Sequence, residues 1–167
     1  MKKVVFLLAL MLIGSVNATS AKQGNEDLKI KPLLGVWQYV EEVVTPEGGT
    51  AYIGKQIYKT ITSSYQYYVV LGVNVPFSQS ETQEPKTSTL SFITQEGDIV
   101  LQEDNNYLEY INKHYLDSSL NNTISQLRYR FNEKNPNILY IEYNLGGGSD
   151  ENWVSEVWLR AIPYGAK

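Results

Sequence analysis

The chain has no cysteine among its 167 residues, which excludes disulfide staples, thiolate catalysis, cysteine-ligated metal and a lipid attached at cysteine. It has one histidine, His114, so a histidine-dependent triad rests on that residue alone and a histidine-rich metal site is excluded. Basic residues are outnumbered, 14 to 18, and a surface of that balance repels nucleic acid and anionic membranes alike. The serines form no Gly-x-Ser-x-Gly elbow. Gly146-Gly147-Gly148-Ser149 lacks the lysine of a phosphate loop, and Asp150-Glu151-Asn152 lacks the spacing of a calcium loop. No complete catalytic constellation is present. No cofactor and no metal are expected, and the balance leans against an enzyme.

Long apolar runs are also lacking. The longest, Val4 to Ile13, covers about ten residues, short of the roughly twenty a membrane-crossing helix needs. Lys2 and Lys3 precede it and small residues follow it through Ala21, the order of a secretory signal peptide. Cleavage fits best after Ala18, with Ala21 as the second choice. The expected organisation is therefore a signal peptide at 1–18, a flexible polar lead at 19–31 and one domain at 32–167. No transmembrane anchor is expected once the leader is removed, and the protein is expected in the periplasm or outside the cell. Loss of Lys2 and Lys3 leaves 12 basic residues against 18 acidic, a net charge of −6.

What the chain does have is β-branched and aromatic residues in short runs between turn residues, with no 3.6-residue apolar stripe. Candidate strands fall at about 33 to 44, 54 to 62, 65 to 75, 88 to 94, 97 to 103, 106 to 115, 124 to 132, 137 to 145 and 153 to 162. Most of the connections are short. Nine or so antiparallel strands leave two exposed edges unless the sheet closes, so the expected fold is all-β, a single up-and-down barrel of about eight to ten strands. The longest polar break, Pro76 to Thr87, is expected to be a loop at the barrel mouth.

Gly35-Val36-Trp37 on the first strand and Trp158-Leu159-Arg160 on the last resemble the lipocalin arrangement. Gly97-Asp98-Ile99 through Asp104, Tyr107-Leu108-Glu109-Tyr110-Ile111 and Glu156 to Arg160 are similar, more closely, to secreted lipocalin-like domains of unknown function from Bacteroides-type bacteria. That resemblance implies a calycin-type barrel in which Trp37 fills a closed floor, Gly35 permits close backbone approach and Arg160 lies against the indole. Arg160 has a second reading, as a clamp for a carboxylate ligand.

Thirteen tyrosines are the compositional oddity. Tyr65, Tyr67, Val69, Leu71 and Val73 share one face by alternation, and Tyr129 falls with Leu127 and Phe131 opposite Arg128 and Arg130. Tyr143 aligns with Leu139, Ile141 and Leu145. Inward tyrosines suit a partly polar amphipathic or aromatic ligand; ordinary strand packing is the alternative. Glu109 shares a face with Tyr107 and Ile111, so it either projects inward as acid, base or ligand anchor, or faces solvent. Glu142 and Glu156 are lesser candidates of the same kind. The candidate ligand-binding set is Tyr67, Glu109, Tyr129, Tyr143 and Trp158. His114 is read as a solvent-facing or hydrogen-bonded strand-end residue, with haem ligation as the rarer use. Three functions follow: an exported protein holding a small amphipathic or apolar molecule in its barrel, an interaction module for an exported protein or glycan with a packed barrel, and a carboxylate-based hydrolase or isomerase. The first leads.

Overall fold

A computed structural model of the protein describes residues 29–77, 86–144 and 153–161. The expected signal peptide, most of the lead, the tip of the Pro76 to Thr87 loop and the Gly146 to Glu151 turn lie outside those residues. Two compact units divide the chain, 1–33 and 34–167. Of the first, the described part is a short helical piece with a 3-10 turn at Lys31–Leu33. Among the described residues, no helix is long and apolar enough to cross a membrane.

The second unit is a closed eight-stranded antiparallel barrel in strict sequence order. Its strands are β1 (Gly35–Val44), β2 (Thr50–Ile61), β3 (Gln66–Phe77), β4 (Lys86–Leu101), β5 (Asn106–His114), β6 (Thr123–Phe131), β7 (Ile138–Asn144) and β8 (Trp153–Arg160). β1 pairs with β8 from Trp37 opposite Arg160 to Val40 opposite Val157. That ladder closes the ring and removes the two edges an open meander would expose.

Nine candidate strands become eight because 88 to 94 and 97 to 103 belong to one strand of 16 residues. Gln95-Glu96-Gly97 is therefore not a turn. A Cβ on Gly97 would lie 1.9 Å from the Tyr110 carbonyl oxygen and 2.9 Å from the Tyr67 ring, so glycine is needed where a neighbouring strand and a ring press on the backbone. Irregularities flank it: β4 carries Thr94 as an extra residue against Val69 and Val70, and β5 carries Asn112 against Glu96 and Gly97. Such bulges bend a strand and increase its twist, as closure demands.

Tyr65 also departs from its expected place on the β3 face. It has φ 60° and ends a three-residue loop in which the Thr62 N–H donates to the Gln66 carbonyl at 2.9 Å. Here left-handed backbone matches the hairpin to the strand twist. Beyond Leu71, β3 leaves β2 and pairs with β4 alone, out to Phe77 opposite Lys86. Val73, Leu90 and Phe92, on the inner face of this arm, are 39%, 58% and 41% exposed.

The alternation read for β6 holds. Leu127 is buried and Tyr129 and Phe131 are partly buried, while Arg128 and Arg130 are exposed. The outward arginines are not idle: Arg128 pairs with Glu142 and lies 4.2 Å from the Trp153 ring centroid, and Arg130 lies 3.8 Å from that of Tyr140. Cation–π contacts of this kind cover aromatic surface that the barrel wall leaves outside.

Candidate functional site

The two ends of the barrel are built differently. At the end where β1 begins and β8 finishes, Trp37 is fully buried and its ring meets Phe131 at 6.2 Å between centroids. The Arg160 guanidinium stands 4.1 Å from the indole centroid and its Nη1 donates to the Leu34 carbonyl at 2.6 Å. Gly35 has φ +123°, and a Cβ there would sit 3.1 Å from Arg160 Nη1. Any larger residue would meet the guanidinium and strain the backbone. The guanidinium's charge is thus spent on a ring and a carbonyl, and partial burial lowers its pKa.

Toward the other end the interior opens into a cavity of about 500 Å³, within the range of small-molecule sites. Its rim includes Leu120, Thr123 and Asn144, residues at the β5–β6 and β7–β8 connections. Its walls include Ile57, Val69, Ile111 and Leu127. Deep in it, Lys59 Nζ and Glu109 Oε1 form an ion pair at 2.7 Å, with side chains 7% and 4% exposed. Lys59 Nζ also lies 5.5 Å from the Tyr67 ring centroid and 5.6 Å from that of Trp158. Two opposite charges so far from water persist because each neutralises the other and the aromatic faces add attraction to the cation.

Hydrogen bonds order the groups around that pair. Gln95 Nε2 donates to Tyr67 Oη at 2.6 Å, and Trp158 Nε1 donates to Glu156 Oε2 at 2.9 Å. Tyr107 is fully buried, and its hydroxyl lies near the Glu109 carboxylate without a well-aligned hydrogen bond. Burial first, and then the charge of Glu109, pushes the ionisation of Tyr67 and Tyr107 well above the ordinary tyrosine range. Tyr143 is raised by burial and then by Glu156.

The five candidate ligand residues divide. Glu109, Tyr143 and Trp158 line the cavity, and Glu156 joins them. Tyr67 is fully buried behind Lys59 and Gln95 rather than on the cavity wall. Tyr129 packs between Tyr107 and Phe131, with centroids 5.9 Å from each, and is not among the residues that line the cavity. Glu142 itself is on the outer wall, held by Arg128. His114 Nδ1 accepts from the Asp117 N–H at 2.8 Å, a local brace for the loop that follows β5. Among the described residues, no three His, Asp or Glu side chains gather where they could hold a metal ion.

With this geometry in view, the profile of a domain of unknown function, DUF4488, matches residues 32–164. The chain belongs to the DUF4488 family. No curated protein matches it. In this DUF4488 domain, the residue that sequence reasoning missed is Lys59. Its signal was present, because Ile57-x-Lys59-x-Ile61 sets one lysine on an apolar strand face just as Tyr107-x-Glu109-x-Ile111 sets one glutamate. Each stretch alone is ambiguous; together they describe an inward pair of opposite charge.

Proposed function

We propose that this DUF4488 domain is a binding protein that holds a small amphipathic or apolar molecule in its barrel, outside the cytoplasm. The observation that carries the reading is the cavity of about 500 Å³ with apolar walls and a few polar groups at its base, the composition from which orienting binding sites are made. The Gly35–Trp37–Arg160 arrangement supports a lipocalin-like reading of the barrel, and the apolar run at Val4 to Ile13 supports export. Glu109 serves in this reading as the ion-pair partner that fixes Lys59 in place. Native mass spectrometry of the purified protein, followed by thermal-shift titration with single-chain amphiphiles, tests the proposal. A retained or added small molecule at one per chain, lost in Ser125→Trp where the indole fills the cavity, is the expected result. No retained mass and no thermal shift across the panel would remove its basis.

A second reading draws on the exposed Leu90 and Phe92 of the β3–β4 arm, which suit contact with another exported protein. Loss of partner capture on Leu90→Ser/Phe92→Ser, with the cavity still occupied, would favour it.

A further inference from the structure

We infer that the molecule held in the cavity carries a cationic head, such as a protonated amine, on an apolar tail, and that Glu156 receives that head. The inference rests on the binding reading above and sharpens it. Three ionisable groups of formal charge at neutral pH line the cavity: Lys59, Glu109 and Glu156. Lys59 and Glu109 satisfy one another at 2.7 Å and leave no net charge between them. Glu156 is different. It accepts a hydrogen bond from the neutral Trp158 indole, and among the described residues no Lys, Arg or His stands within ion-pairing distance of it. The cavity therefore carries a net negative charge, at a carboxylate that has a donor to hold it in place and no cation to balance it.

The surroundings of Glu156 suit a cation further. Tyr143 and Trp158 line the same cavity, and Trp158 is hydrogen-bonded to Glu156, so the carboxylate shares its cavity with aromatic rings of the kind that attract a cation. An anionic head would find the one cavity cation already engaged and would sit near two carboxylates in a site shielded from water, where like charges repel strongly. Ile57, Val69, Ile111 and Leu127 offer apolar wall for the tail.

A matched decyl series separates the head from the tail: decylammonium, decanol and decanoate, titrated into the full chain by isothermal calorimetry at neutral pH and below their aggregation limits. The expected order is decylammonium tightest, decanol intermediate and decanoate weakest, with at least about a tenfold gap between the two charged ligands. Binding should be one per chain, and excess decanol should compete with decylammonium for it. In Glu156→Gln, which keeps an oxygen acceptor for Trp158, the two charged ligands should come within about twofold of each other. Decanoate binding as tightly as decylammonium, or a preference unchanged in Glu156→Gln, overturns the cationic assignment and leaves cavity binding standing. No binding by any of the three overturns both.

Discussion

Arg160 and Lys59 are both cations held against the indole of a tryptophan, yet the barrel treats them differently. Arg160 closes one end by stacking on Trp37 and donating to a backbone carbonyl. Lys59 stands deep in the interior beside Trp158 and is matched by a full carboxylate. The contrast follows from the two head groups. A guanidinium is weakly hydrated and planar, so it lies readily on a ring face; an ammonium is a compact, strongly hydrated charge, and its burial calls for an opposite charge in contact. One end is thereby a plug, and the other keeps room beside a fixed ion pair.

The largest expected effect comes from breaking that ion pair from one side. Lys59→Met should cost about 3–5 kcal/mol of stability in urea denaturation, because Glu109 is left buried and uncompensated. Adding Glu109→Leu should restore most of the loss, whereas a single-mutant cost below about 1 kcal/mol would mean that water reaches the pair and the contrast with Arg160 is false. At the plugged end, Trp37→Ala should cost about 3–5 kcal/mol by leaving a void under Arg160 and Phe131. Arg160→Met should cost less, about 1–2 kcal/mol, since among its losses are the cation–π contact with Trp37 and the hydrogen bond to Leu34, while much of the packing is kept. If Arg160→Met proved as damaging as Lys59→Met, the two cations would be held alike after all.

The smallest effect is the most diagnostic of the dry interior. Tyr107→Phe removes a buried hydroxyl with no well-aligned partner, so at neutral pH stability should change by less than about 1 kcal/mol in either direction. In alkali the variant should gain on the parent. Tyr67 and Tyr107 have folded-state pKa values raised above the ordinary 10.0, so unfolded tyrosines lose protons first and stability declines as pH rises past about 10. Removing Tyr107 removes its share of that decline, which denaturant midpoints at pH 8 and pH 11 would measure.

Strand periodicity made most of the barrel legible, since inward and outward residues on β6 alternate and the turn residues mark most hairpins. The exception at Gly97 came from reading glycine as a turn when its role is to admit the Tyr110 backbone and the Tyr67 ring. Local sequence does not distinguish those uses, because the crowding atoms belong to other strands. The plug was legible for the same reason that the ion pair was not. Gly35-Val36-Trp37 and Trp158-Leu159-Arg160 are linked by their resemblance to the lipocalin ends, while no such likeness joins Lys59 to Glu109, which are separated by 50 positions and meet only after the sheet has curled. Tyr129 shows the converse limit: alternation placed it inward correctly, but did not say that Tyr107 and Phe131 would bury its ring beside the cavity instead of on its wall.

The continuous β1–β8 ladder and the plug beneath it bear on how fast a guest could exchange. With the wall hydrogen-bonded all the way round and Trp37 filling one end, a guest of the proposed kind would come and go at the end that carries Leu120, Thr123 and Asn144. Substitutions at that end should therefore change the residence time of such a guest more than any made at the Trp37 end.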